Sequence, residues 1–502
     1  NGHSITNLQP LRVVEQGEGG PRDYYAGLFF GIGESCVIKD LTIDGAITIQ
    51  DSSYVEGANG TIMAYAGAFA ACADGGTLIN CMFTGSLTVG ASDNLFGFVQ
   101  DGQQGGTIYA GGLVGDANAV HARYATYAGL SDTAESLFGM FSLYGCTNAA
   151  TISCYVSTVT NYASGESYVG GLVGDLSATS GEIARCSNNG SVSLVQDGYG
   201  ARLGGLVGSM SVDNGGDSSP EGVYTFDACA NTGAISYTYA PAGDLQYPNI
   251  TLGGLVGTCI ADAAFGNQCV SVLDCSNTGM LAVGGEESQS VQTTVGGLAG
   301  KAESVSFVNS VGGFGTSALS LSGYTEAGGI AGVAEQSTFE NCYASGTLAV
   351  SDHGRAGGIV GYLGGGGYCK DSYSDMDISV LELTTGGTWT DKSVYVGGIA
   401  GAIDSTLNAD HPDIISGCHN GGDVQGVCLD NGKAPYGNDT KVYVGGIAGT
   451  SVKGNITDCL NEGKVSGYSI TTSYIGGILG TNGFSPSAVT LGSYVNIVDC
   501  EN

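Results

Sequence analysis

The chain has 502 residues, with 47 acidic and 14 basic side chains and a formal net charge of −33. It has no Lys/Arg cluster to neutralise nucleic-acid phosphates or to bind an anionic lipid surface, so both partners are disfavoured. With 89 glycines, 8 prolines and 42% hydrophobic residues, it reads as ordered but not helical, its acidity serving solubility.

One phrase recurs from end to end: a Tyr or polar residue, a small apolar residue, then Gly-Gly-Leu/Ile-x-Gly. Two looser copies open the series at Gly27 and Gly67, where Leu28 and Ala68 replace the second glycine. Strict copies follow with first glycines Gly111, Gly170, Gly204, Gly253, Gly296, Gly328, Gly357, Gly397, Gly445 and Gly476. The shortest unit, Gly328 to Gly357, is too short for a sandwich domain, so one supersecondary unit is stacked on itself.

Between these copies lies a second phrase, Cys-x-Asn-x-Gly-x-(Val/Ile/Leu). In chain order it is headed by Cys81, Cys146, Cys186, Cys229, Cys275, Cys342, Cys418 and Cys459, with Leu41, Ser310 and Ser372 in the equivalent place elsewhere. Apolar runs of four to six residues, bounded by Gly, Asn, Asp and Ser, have no helical period. The reading is an all-β, right-handed parallel β-helix, a β-solenoid of about twelve coils over residues 1–502 with one coil per Gly-Gly phrase. Each shortest coil is expected to hold three strands and three corners, with successive coils ~4.8 Å apart.

In such a stack a repeated residue becomes a column. The phrase-heading cysteines predict an inward structural ladder of free thiols, because in-register parallel stacking points their Cβ vectors alongside one another. The Asn suits a bend, either in the left-handed conformation or as a stacked amide ladder. The glycine after it is expected to supply positive φ. The glycine pair of the first phrase reads either as a bend or as a close backbone approach. A Tyr column (Tyr25, Tyr65, Tyr109, Tyr168, then Tyr395, Tyr443, Tyr474) predicts stacking that stiffens the coils. Off the column, Cys259 and Cys269 are placed to close a loop.

The phrases Tyr168-Val169-Gly170-Gly171-Leu172-Val173-Gly174 and Tyr443-Val444-Gly445-Gly446-Ile447-Ala448-Gly449 resemble the GLUG motif. The resemblance covers nearly the whole chain. It implies a large secreted or wall-attached bacterial protein, adhesin-like or neighbouring an immunoglobulin A peptidase, with a scaffold or binding role and no catalytic residues to carry over. The departures at Leu28 and Ala68 predict irregular N-terminal coils. Both ends read as cut through a coil, so a segment of a longer protein is expected.

A β-helix enzyme needs carboxylates converging on one face. The acidic clusters Asp213/Asp217/Glu221, Asp371/Asp375/Asp377 and Asp410/Asp413 beside His411 lie in connections, where Asp is a common turn residue, and no catalytic site is expected. Asp213, Asp217, Asp410 and Asp413 are candidates for a structural calcium ion; no other cofactor is signalled. Insertions gather at two corners, and Tyr124, Tyr127, Tyr237, Tyr239 and Tyr247 in them suit stacking on sugars or entry into a protein interface. The function expected is an extracellular surface rod of an adhesin-like protein, a stalk presenting corner loops to a host or cell-surface glycan or protein. Self-association is allowed; insertion into a membrane is not expected. The alternatives are a polysaccharide-active β-helix enzyme and a filament-forming surface protein.

Overall fold

Gly-punctuated apolar runs of this length bury one face of a short strand and then turn. The computed structural model describes residues 3–8, 23–33, 35–50, 62–93, 95–97, 105–117, 140–157, 165–178, 180–198, 200–212, 223–240, 249–261, 269–285, 291–315, 319–321, 323–351, 353–382, 393–405, 412–429, 441–470, 472–483 and 495–502. Their regular structure is β-strand, and the printed pairings are all parallel. The chain divides into two units. One is Asn1–Pro248 with Leu255–Thr258 and Ala282–Glu286; the other is Asn249–Gly254, Cys259–Leu281 and Glu287–Asn502. Each is a parallel β-helix, and the fold is a β-solenoid of about twelve coils.

The coil from Ser167 shows the plan. Strand Ser167–Gly170 joins a first sheet, Val173–Ala178 a second and Gly181–Ala184 a third, while Ser187–Asn188 and Val192–Asp197 share a fourth. Like pairs with like one coil away: Tyr109 with Tyr168, Asn148 with Asn188 and Gly170 with Gly204 in the first unit, Asn420 with Asn461 and Tyr443 with Tyr474 in the second. Inside, the Leu/Ile of the Gly-Gly phrase forms a buried column: Leu113, Leu172 and Leu206 in one unit, Ile330, Ile359, Ile399 and Ile447 in the other. Opposite it stand inward residues of the third sheet, among them Leu143, Ile183 and Phe226, and the stacked pair Phe307 and Phe339 at 5.1 Å.

Two expectations are corrected here. The shortest coil holds four strands, not three: Ala331–Glu335, Thr338–Glu340, Tyr343–Val350 and Gly354–Gly357. The additional strand precedes the Cys and had the appearance of a connection, because only one or two of its few residues face inward. Second, the glycine after the Asn does not supply the left-handed turn. That conformation belongs to the residue before the Cys: Asn80, Gly145, Arg185, Ala228, Asp274, Asn341, Asp371, Gly417 and Asp458 all have φ of 47° to 62°. The glycine after the Asn is needed for space, since a Cβ on Gly190 would lie 1.9 Å from Ala150 O of the preceding coil.

Irregularity lies at the start of the chain, where the register of strand His3–Leu8 shifts between Thr6 and Leu8. At the later phrases with Leu28 and Ala68 the pairing is regular, contrary to expectation: Tyr25 pairs with Tyr65, and Leu28 N donates to Ala68 O at 3.0 Å. The reason lies across the coil. A Cβ on Gly171 would sit 2.5 Å from Asn188 Cγ and 2.0 Å from Gly205 O, so the second glycine makes room for the Asn column. In the coils with Leu28 and Ala68 that column position holds Ile43 and Phe83, and the requirement is lifted. The Gly-Gly phrase is thus both a bend and a close approach.

Candidate functional site

Three surfaces compete for a functional role: the corners that accept insertions, the outward stripe beside the Gly-Gly bend, and the acidic clusters. The corner geometry is selective. After the second sheet the chain passes directly from Glu303 to Val305, or from Glu335 to Thr338, yet elsewhere leaves at Ala117 and returns at Phe141, or leaves at Val212 and returns at Tyr224. After the fourth sheet it passes from Val350 to Gly354 in one coil, but departs at Glu382 and returns at Val394 in another, and at Cys428 and Lys441 in a third. The Gly-Gly bend and the Cys corner keep their length in each described coil, because neighbouring backbones there touch coil to coil, and the Asn corner varies only slightly, gaining three residues between Gly313 and Leu319.

Beside the bend, the residue two before the first glycine faces outward. In the first unit Tyr25, Tyr65, Tyr109 and Tyr168 stack at 4.9–5.0 Å with rings within 8° of parallel. Arg202 caps the stack with its guanidinium 5.2 Å from the Tyr168 ring, and pairs with Glu166 at 3.0 Å. Tyr168 OH donates to the same Glu166 carboxylate. Facing this stripe from the second sheet are Asp175, whose carboxyl burial raises to about 6, and Ser209, which accepts from Arg202 at 3.4 Å. In the second unit Arg355 bonds Glu326 at 2.8 Å and lies 4.5 Å over the Tyr362 ring, and Tyr395, Tyr443 and Tyr474 stack beyond it. Tyr65 is 2% and Tyr443 0% exposed. Ring faces occupied by neighbouring rings cannot also receive a sugar, so the column works as a ladder. The arginines and glutamates that take over its rungs were not singled out from sequence; their in-register position relative to the Tyr phrase was the available signal.

Inside the coil the Asn column forms runs of amide ladder, interrupted where Gly312, Ala344 and Ser374 hold the position. Asn148 Nδ2 donates to Asn188 Oδ1 at 2.7 Å, and Asn188 Nδ2 to Asn231 Oδ1 at 2.8 Å. The second unit repeats it from Asn420 to Asn461 to Asn502, at 2.8 and 2.7 Å. Each amide also reaches the carbonyl two residues on, as from Asn188 to Gly190 at 2.9 Å.

Residues 323–349 match the GLUG motif. This stretch contains the strands Tyr324–Gly328, Ala331–Glu335 and Thr338–Glu340, the corner Cys342 and most of Tyr343–Val350, so the motif spans nearly one complete coil. The chain is a GLUG-motif repeat protein. No curated protein and no solved structure matches it.

The GLUG coil places the sequence-derived candidates as follows. Cys81, Cys146, Cys186, Cys229, Cys275, Cys342, Cys418 and Cys459 are buried at the corner before the fourth sheet, none of them in a disulfide. Burial pushes Cys342 up to about 11, so it stays protonated at neutral pH. Cys259 and Cys269 are both buried and are not joined in a disulfide. Tyr237 and Tyr239 are corrected from loop to core: they alternate on strand Ile235–Tyr239 and are 1% and 7% exposed. Tyr124, Tyr127 and Tyr247 lie outside the described residues, as do Asp213, Asp217, Asp410 and His411.

Asp413 is buried, and both its oxygens are engaged. Oδ1 accepts from the amides of Gly366 and Gly367 at 2.8 and 2.7 Å, and Oδ2 from Ser405 Oγ at 2.7 Å. Burial outweighs these bonds and raises its carboxyl to about 6, which suits a bracket closing an insertion rather than a calcium ligand. Asp377 Oδ1 accepts from Asp423 N at 3.0 Å, and Asp423 Oδ1 from Lys464 N at 2.9 Å, so these outward acids hold the turns of the next coil. Among the described residues, no group of three His, Cys, Asp or Glu side chains is placed to hold a metal ion. A shallow groove of about 270 Å³ runs along Thr347, Asp377, Asp423 and Lys464.

Proposed function

We propose that this GLUG repeat is a non-catalytic scaffold of an extracellular, adhesin-like bacterial surface protein, with recognition borne by segments inserted at two of its corners. The observation that carries the reading is the concentration of the long insertions at the corners after the second and fourth sheets, while the Gly-Gly and Cys corners are held to fixed length by backbone contact and the Asn corner gains only three residues in one described coil. A scaffold built this way tolerates change where it presents chain and forbids it where it stacks. The net charge of −33 supports a role in which copies stay apart in solution and neither nucleic acid nor an anionic membrane is the partner. The partner proposed is a neutral or basic glycan or protein on a host or cell surface.

A glycan and extracellular-matrix protein array tests this, comparing the intact chain with a variant whose segments 118–139 and 383–392 are replaced by the short connections of other coils. Binding by the intact chain and loss in the trimmed one is expected. Equal signal from both would remove the corner segments from recognition. Hydrolysis or elimination products appearing on a polysaccharide panel would favour the enzyme alternative.

A further inference from the structure

The thiol column has a fixed companion. In several coils the column sulfur lies against a backbone carbonyl of the third sheet one coil earlier: Cys146 Sγ on Leu78 O at 3.4 Å, Cys229 on Ile183 O at 3.0 Å, Cys342 on Phe307 O at 3.5 Å and Cys459 on Ile415 O at 3.8 Å. The residue owning that carbonyl points inward and is Leu, Ile or Phe in these coils. In one coil it is a cysteine. Cys418 Sγ then lies 3.4 Å from Cys369 O and 3.7 Å from Cys369 Sγ, with both residues buried. Cys369 lies on the strand Tyr368–Lys370 with Ile415 as its register partner, and Cys418 stands at the corner that follows Ile415's strand, so the two thiols are offset along the chain direction rather than stacked in register.

We propose that Cys369 and Cys418 are a disulfide-forming pair, oxidised when the chain folds in an oxidising compartment, which ties the strand Tyr368–Lys370 to the corner of the following coil. The oxidant is a small disulfide such as oxidised glutathione. One protein thiolate attacks it and expels a small thiolate; the second protein thiolate attacks the resulting mixed disulfide at the protein sulfur and expels the other. Two protein thiols and one small disulfide become one protein disulfide and two small thiols, which carry both protons. Closure takes the sulfurs from 3.7 Å to ~2.05 Å, within reach of side-chain rotation. Because both groups are buried, exchange occurs before the coil closes or during local opening, not on the intact surface. The bond would close a loop spanning the insertions at 383–392 and 406–411.

The full chain, secreted into an oxidising compartment of an expression host, is alkylated under denaturing conditions and digested for mass spectrometry. A linked peptide joining Cys369 to Cys418, lighter by two hydrogens and released by dithiothreitol, is expected, with a higher urea midpoint than the reduced protein. Cys369→Val keeps a small apolar side chain where the neighbouring coils hold Phe339 and Ile415; it should fold, lack the linked peptide and show no midpoint difference between oxidising and reducing buffer. Alkylation of both Cys369 and Cys418 in the secreted wild type would overturn the proposal. So would linkage of Cys418 to Cys459 or Cys342 instead.

Discussion

Asn188 is where the stacking argument is most exposed to test. Its side chain is fully buried and makes three hydrogen bonds: from Asn148, to Asn231 and to Gly190 O. Asn188→Ala fits sterically, since Ala344 occupies the same position in another coil at 0% exposure. It leaves a donor on Asn148 and acceptors on Asn231 and Gly190 without these partners, at about 1–3 kcal/mol per stranded group. Asn148 keeps a 3.3 Å bond to Ala150 O, so the loss should be about 3–5 kcal/mol rather than the full sum. Asn188→Asp is the sharper probe. Its carboxylate still accepts from Asn148 but has nothing to donate, and faces Asn231 Oδ1 and Gly190 O. The folded state therefore prefers the protonated acid and holds its pKa above the unfolded value of ~3.9. Stability of the Asp variant is then best below pH 4 and is lost as pH rises through the folded pKa. Urea unfolding followed by circular dichroism at pH 4, 6 and 8 should place Asp near Ala at pH 4 and well below it at pH 8. Equal midpoints for the two variants at pH 8, with losses under about 1 kcal/mol, would refute a hydrogen-bonded ladder.

Ser374 interrupts the second-unit ladder and leaves Asn420 Oδ1 without a partner; Ser374→Asn should supply the donor and raise stability by about 1 kcal/mol, read as a higher urea midpoint. Ala228 holds φ of 50° where most other coils use Asp, Asn or Gly, so Ala228→Asn should relieve about 1 kcal/mol of strain, measured the same way. Asp413, raised to about 6 by burial, contributes stability that is present below pH 4 and fades as pH rises through 6; Asp413→Asn should flatten that part of the stability–pH curve, even if its absolute stability is lower.

Columns of one residue type were legible because stacking makes identity visible in sequence: the Tyr, Cys and Asn files follow directly from spacing. The fourth strand and the left-handed hinge were not, because the hinge position holds Asn80, Gly145, Arg185, Ala228 and Asp274, a backbone requirement without a shared side chain. Tyr237 and Tyr239 read as loop residues because Pro241 follows closely, yet alternation on a short strand turns both inward. Asp413 read as an ion ligand because its true partners, Gly366 and Gly367, lie more than forty residues earlier. Cys369 carried no signal until the register brought it against Cys418. The second glycine of each strict phrase is explained only across the coil and by the next coil, by the column residue it accommodates, Asn188 opposite Gly171 and Ser374 opposite Gly358, and by the neighbouring glycine carbonyl.

The central claim, like residues over like in consecutive coils, is tested most directly by spin-label proximity. Ser153 and Ser193 are register partners on the outer face of the fourth sheet, with hydroxyls 3.3 Å apart. Nitroxides on Ser153→Cys and Ser193→Cys, in a background where the part-exposed Cys36 and Cys500 are serine, should show strong dipolar broadening in continuous-wave electron paramagnetic resonance, while a Ser153/Glu182 pair on different sheets should not. Sharp, unbroadened spectra from the 153/193 pair in the folded protein would contradict the stacked coil.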